Sequence, residues 1–223
     1  MSARQYKDRL HSVIEKIWNT QLGAIEQAAG VMADAIARNG LVHLFGSGHS
    51  VLPVQDIFPR YGSYPGFRPL MDARLMWTNV IGSGGAKGLL WLERREGYAP
   101  VLFENEPIRA GDVMLVFSHG GLNAVGIEVA MEARQRGLKV VAVTCMENHR
   151  TRSATHSSGK KLADVADIVI DNCCPAQDSL VDVPGWKAPV AASSTAAFVT
   201  IAMALVAEVA AQLAKRGVRT LSG

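Results

Sequence analysis

Val13, Ile17, Ile25, Ala28, Met32 and Ile36 stand three or four residues apart, or at sums of those steps. That spacing predicts one long amphipathic helix over residues 6–38, closed by Asn39-Gly40. The pattern then becomes a short continuous apolar run at 41–45, the mark of a strand buried on both faces. Similar runs follow at 113–117, 139–144 and 167–171. Between them, helical periodicity predicts helices from Ser50 to about residue 61, with Pro53 in the first turn, and over 88–98, 122–136, 160–166 and 191–216. Residues 62–87, 145–159 and 172–190 read as loops, the first wrapping the surface and the second polar with two histidines. Apolar strands alternating with amphipathic helices give an α/β fold, a doubly wound three-layer αβα sandwich around a central parallel sheet. Right-handed crossovers put the loops after the strands on one edge, where ligands bind at a topological switch point.

Two strand–turn–helix junctions carry the chemistry. One reads Phe45-Gly46-Ser47-Gly48-His49-Ser50, the other Phe117-Ser118-His119-Gly120-Gly121-Leu122-Asn123. Glycine lets backbone N–H groups approach a ligand, and a helix N-terminus favours an anion. Either stretch alone would also serve as a plain turn with a serine cap. Two in one chain point to one sugar-sized anionic ligand held by Ser47, Gly48, His49 and Ser50 with Ser118, His119, Gly120, Gly121 and Asn123.

Composition narrows the classes. In 223 residues the net charge is +3 and no basic run occurs, so nucleic acid is excluded as the expected partner. No uninterrupted apolar stretch reaches about 18 residues, and Val190–Val209 reads as a buried helix rather than a membrane span. The N-terminus lacks a signal-peptide core, and three cysteines, with Cys173 and Cys174 adjacent, make no disulfide framework. A cytoplasmic protein is expected. No histidine or cysteine spacing resembles a zinc box, and no dinucleotide fingerprint or Walker lysine is present, so neither metal nor cofactor is expected.

With Leu92-Glu93-Arg94-Arg95-Glu96-Gly97-Tyr98-Ala99, His156-Ser157-Ser158-Gly159-Lys160 and Val169-Ile170-Asp171-Asn172 added to the glycine junctions, the chain resembles the SIS (sugar isomerase) domain family, nearest to single-domain bacterial phosphosugar and phosphoheptose isomerases. The resemblance covers nearly the whole chain. It implies one domain over 1–223, the 6–38 helix in an oligomer contact, a homodimer or homotetramer, and sites near subunit contacts. It also implies an aldose–ketose isomerase working through an enediol on a hexose-like sugar with a terminal anion. Two departures stand out. The second junction has lost a hydroxyl and gained His119, which favours a monoanion such as a 6-sulfonate, as in sulfoquinovose, beside the family's 6-phosphate. Phosphoheptose isomerases carry a metal-binding His and Glu one turn apart on the helix after the first loop, and the matching positions here are Asp56 and Arg60.

Isomerisation needs a base near neutral pH and a second group at the carbonyl or ring oxygen. Glu93 and Glu96 are the candidate bases, because the related N-acetylmuramic acid 6-phosphate etherases carry an acid–base glutamate in that segment. With Arg94 and Arg95 beside them, both would equally suit a solvated helix face. His156 is the candidate for ring opening, with Ser157 and Lys160 on its loop and Asp56 as a further substrate contact. His43 reads as a satisfied core residue, Trp77, Trp91 and Trp186 as packing or sugar walls, and Glu208 as a surface charge or site residue. A non-catalytic phosphosugar sensor and an etherase-type lyase are the other functions compatible with these residues.

Overall fold

The computed structural model describes residues 2–57, 60–76, 85–104 and 106–219. The helix expected over 6–38 is two helices, α1 (Ser2–Thr20) and α2 (Leu22–Ala37). One local and one long-range contact mark the break. Thr20 returns its hydroxyl to the Lys16 carbonyl (2.7 Å), a bond that tends to bend helices. Gln21, at the junction, accepts the Asp171 N–H with its side-chain oxygen (2.9 Å). The α2 terminus is closed by Asn39, which takes a left-handed φ of 60°, while the Gly40 N–H bonds the Ala35 carbonyl.

The sheet comprises β1 (Val42–Gly46), β2 (Phe67–Pro69), β3 (Val113–Ser118), β4 (Lys139–Thr144) and β5 (Ile168–Asp171) in the order β2-β1-β3-β4-β5. All pairings are parallel. Strand β2 lies in the stretch expected only to wrap the surface. Three residues ending in proline give too short a pattern to read, and Pro69 is tolerated because β2 is an edge strand. Chain order reverses direction between β1 and β3, so their carboxyl ends, with Gly46 opposite Phe117, flank the switch-point crevice.

Further helices cover the sheet: α3 (Val51–Ile57), α4 (Gly85–Leu92), α5 (Ala99–Phe103), α6 (Ala124–Gln135), α7 (Met146–Thr151), α8 (Leu162–Val165) and α9 (Ser194–Lys215). Helix α3 ends short of the expected residue 61, and α4 starts earlier than residue 88 and stops at Leu92, leaving Glu93 and Glu96 on the turns beyond it. Helix α7 and a hairpin of β6 (Ser179–Val181) with β7 (Val190–Ala192) fill stretches expected as loops. Both are too short for periodicity to register.

Alternate strand residues face opposite layers. Leu44, Leu115 and Val143 pack with α2, α3 and α9 through Met32, Ile57 and Ile201. Phe45, Val116 and Ala142 pack with α5, α6 and α8 through Phe103, Ile127 and Leu162. The architecture is the three-layer αβα sandwich. Helix α9 is long and apolar enough to cross a membrane by length and composition. In this fold it lies along α2, burying Phe198, Ile201, Leu205 and Val209.

Candidate active site

The first loop leaves β1 through Gly46, where a Cβ would lie 2.1 Å from the Ser50 carbonyl oxygen, so only glycine fits. Gly48 takes a left-handed φ of 58°, and its N–H is fixed on the Leu75 carbonyl. The second loop leaves β3 through Ser118, whose Oγ accepts the Gly121 N–H (3.2 Å). Gly121 also has a left-handed φ, 64°, and sits against Thr144 behind the loop. The two loops face each other across one cavity of about 170 Å³. Ser47, Gly48, His49 and Ser50 line it from one side, and Ser118, His119, Gly120 and Asn123 from the other. Leu89 and Leu90 of α4 form an apolar wall beside Glu93.

Glu93 joins the two loops. Its carboxylate is buried, accepting the Ser47 hydroxyl (3.0 Å) on one oxygen and the Asn123 amide (2.8 Å) on the other. Asn123 stands at the N-cap of α6, yet its side chain makes no capping bond and is committed to Glu93. The Glu93 carbonyl meanwhile accepts the Val125 N–H of the first turn of α6 (3.1 Å). Burial raises the Glu93 pKa above the usual carboxylate range; Ser47, Arg94 and Asn123 oppose this but do not cancel it. A buried carboxylate with a raised pKa, lining a polar cavity, is suited to move a proton.

Glu96 is placed otherwise. It is exposed and binds the Ser157 N–H (2.7 Å) and hydroxyl, which hold its pKa below the usual range. His156 stands beside Glu96 and Glu128, not among the residues lining the cavity. Ser157, Lys160 and Asp56 are likewise outside that lining; Asp56 pairs with Arg60 one turn along the chain. One turn separates Glu93 from Glu96, so sequence spacing could not tell them apart.

His119 lines the cavity, but its ring is held from behind. Asn172 approaches Nδ1 at 3.1 Å, and the Ala176 carbonyl lies 3.3 Å from Nε2. A proton on Nε2 satisfies both contacts, since Asn172 then donates to Nδ1 and Nε2–H donates to Ala176. Asn148, on α7, also contacts His119; Asn172 belongs to the Val169–Asn172 segment that carries the family resemblance, but nothing in the sequence marks either asparagine as a support for His119.

His43 is a core residue. Its Nε2 lies 2.9 Å from the Asp112 carboxylate, which also accepts the N–H groups of Leu41 and Arg109. Burial works to raise the Asp112 pKa, but these hydrogen bonds prevail and hold it below the usual range. Trp91 is exposed and stacks with Arg95 at 4.1 Å, Trp186 is exposed, Glu208 accepts from Gln212, and Trp77 lies outside the described residues. The three cysteines are buried and free; burial raises their pKa values, that of Cys174 to about 12.

A parallel αβα sandwich with a polar, glycine-walled cavity at its switch point is an arrangement in which backbone amides are free to meet a small ligand. The chain belongs to the SIS domain family, whose sequence profile matches residues 5–145. It is 37% identical to a UPF0309 protein of Caldanaerobacter subterraneus over 179 residues, covering 80% of this chain and 71% of that protein. It is 32% identical to a UPF0309 protein of Streptomyces coelicolor over 218 residues, covering 97% and 85%. Among solved structures it resembles phosphoheptose isomerases from Francisella tularensis (TM-score 0.61, 18% identity, covering 93% of this chain and 95% of that one) and Neisseria gonorrhoeae (0.63, 16%, 94% and 97%). It also resembles the sugar isomerase domain of an RpiR transcription factor from Sphaerobacter thermophilus (0.52, 16%, 96% and 92%). At these identities the structural likenesses show the fold.

Proposed function

We propose that the protein is an aldose–ketose isomerase for a hexose-like sugar with a terminal anionic group. The observation that carries this reading is Glu93, buried, raised in pKa and bonded to both glycine loops beside the cavity they share. The loops 46–50 and 118–123 hold the sugar and its anion. With the sugar open, Glu93 takes the proton from C2, giving an enediol, and returns it to C1 on the same face. The accompanying proton passes between the two oxygens; of the two histidines lining the cavity, His49 supplies the imidazole, since both His119 nitrogens face Asn172 and Ala176. Carbon is oxidised at C2 and reduced at C1, so no external electron carrier enters.

This assigns the proton transfer to Glu93 rather than Glu96, and leaves His156 without a place at the reacting carbons. A 6-phosphate is the first substrate class to test. A 6-sulfonate, as in sulfoquinovose converted to sulfofructose, is the second, because the Ser118-His119-Gly120-Gly121 loop offers few hydroxyl donors. The exposed Trp18 and Leu22, on and just after α1, fit the oligomer contact expected of this segment, as a homodimer or homotetramer measurable by light scattering.

The test is proton NMR in deuterated water with aldose 6-phosphates and sulfoquinovose. Ketose formation, with deuterium at C2 of the remaining aldose, supports the isomerase. Tight binding without exchange for any sugar supports a sensor, and release of a substituent from the sugar supports a lyase; either overturns the proposal.

A further inference from the structure

Away from the cavity, three elements bring together groups that the isomerisation does not use. Glu96 follows α4, Glu128 lies on α6 and His156 lies between α7 and α8. Their ligating atoms all lie within 4.8 Å of one another. The His156 side chain is only 8% exposed, and its Nε2 is buried without a hydrogen-bond partner. That nitrogen points between two carboxylates, 3.6 Å from Glu128 and 3.9 Å from Glu96, too far for a hydrogen bond to either.

The other ring nitrogen explains why this is unfavourable as it stands. His156 Nδ1 lies 2.8 Å from the Ser158 hydroxyl. If Nδ1 carries the proton and donates to Ser158, the Nε2 lone pair faces two negative charges. If Nε2 carries it, Nδ1 accepts the Ser158 N–H (3.1 Å), and Nε2–H points at oxygens it does not reach. A ring protonated on both nitrogens would donate to Ser158 and pair with both carboxylates at long range, and a metal cation between the three groups resolves the first arrangement with the Nε2 lone pair as a ligand. The carboxylates are already oriented for it. Ser157 holds Glu96 through its N–H and hydroxyl, and the N–H groups of Gly97 (2.6 Å) and Ala99 (3.4 Å) hold Glu128. Outer hydrogen bonds of this kind fix metal ligands in place. Among the described residues, no lysine or arginine forms an ion pair with Glu96 or Glu128.

We propose that Glu96, Glu128 and His156 form a binding site for one divalent transition-metal ion, with zinc as the preferred occupant. Tetrahedral zinc with N and O ligands has ligand–ligand edges of about 3.4 Å, so the His156–carboxylate separations need to close by a few tenths of an ångström, and the two carboxylates, within 4.8 Å of each other, swing together by a side-chain adjustment. The imidazole nitrogen among the ligands favours zinc or cobalt over magnesium and calcium, which prefer all-oxygen sites. The ion ties the turn bearing Glu96, and with it Glu93 three residues earlier, to α6 and to the loop around His156. The site is separate from positions 56 and 60, and its existence does not depend on isomerase activity.

The test uses the full chain after chelator treatment, titrated with zinc against a chromophoric chelator. One equivalent is expected to bind in wild type, with affinity at least tenfold weaker in His156→Ala and in Glu128→Gln. The control is His11→Ala, because His11 and Glu15 form an exposed pair on α1 that could hold metal adventitiously. That variant is expected to match wild type. Because His156→Ala could disturb its loop, cobalt is also added to wild type, and the His156 ring resonances are expected to shift and broaden first. The proposal is overturned if wild type binds no zinc, if His156→Ala binds as tightly as wild type, if His11→Ala abolishes binding, or if the His156 resonances do not respond to cobalt.

Discussion

Replacing Glu93 by glutamine separates a catalytic carboxylate from a structural one. The amide has nearly the same shape. With the amide oxygen still accepting from one partner, either the Ser47 hydroxyl turns to accept from the new NH2 or the Asn123 amide flips to present its oxygen to it, so both contacts to the side chain are recoverable. What disappears is the base. General acid–base catalysis contributes roughly 10²- to 10⁴-fold, which corresponds to about 2.7–5.4 kcal/mol of barrier at about 1.36 kcal/mol per tenfold. Stability moves the other way. Because the folded pKa of Glu93 is raised by burial, the native state holds a proton more tightly than the unfolded state does. Wild-type stability therefore falls as pH rises from the ordinary glutamate range through the folded pKa, and Glu93→Gln escapes that loss. The expected signature is a kcat lower by at least 10²-fold, with a melting temperature at neutral pH equal to or above wild type. Ketose formation followed by NMR and calorimetry at pH values on either side of the folded pKa provide the two readouts. A variant retaining activity within a few-fold of wild type refutes the assignment of Glu93, and one that loses activity only together with its fold refutes the separation of the two roles.

Other substitutions test the supports. Ser47→Ala and Asn123→Ala each remove a donor that lowers the Glu93 pKa, so the acidic limb of the kcat/KM profile should move to higher pH; an unmoved limb would mean that Glu93 does not set it. Asp112→Ala leaves His43 and the N–H groups of Leu41 and Arg109 without their buried acceptor and should cost about 3–5 kcal/mol in urea unfolding. The Asp112 pKa is lowered by its hydrogen bonds, so its stabilisation is present above the ordinary aspartate value and lost as pH falls through the folded value; the variant should lack that acid-side loss. Gly46→Ala places a Cβ 2.1 Å from the Ser50 carbonyl and should displace the first loop, abolishing ligand-induced thermal stabilisation while lowering the melting temperature.

Much of this was legible along the chain because β1 and β3 are continuous apolar runs that end in glycine–hydroxyl turns, and a parallel sheet leaves such turns on one edge. Strand β2 was not, since Phe67-Arg68-Pro69 is too short to show a period and owes its state to pairing with β1. The break at Gln21 is not legible because apolar spacing continues across it, while one of the two contacts that mark it, the bond to Asp171, spans 150 positions. The site was legible as two loops but not as a reactive centre. Glu93 and Glu96 share one acidic-basic segment, and only folding buries the first against Ser47 and Asn123 while leaving the second exposed on Ser157. Glu128 looked like any helix glutamate; its partners Gly97 and Ala99 come from a different part of the chain.

The most direct test of the central claim is a crystal structure of Glu93→Gln soaked with the sugar that wild type turns over. The anionic group should lie on the amides and hydroxyls of 46–50 and 118–123, with C1 and C2 about 3–3.5 Å from the side chain at position 93. A sugar seated elsewhere, or one whose reacting carbons face away from position 93, would contradict the account.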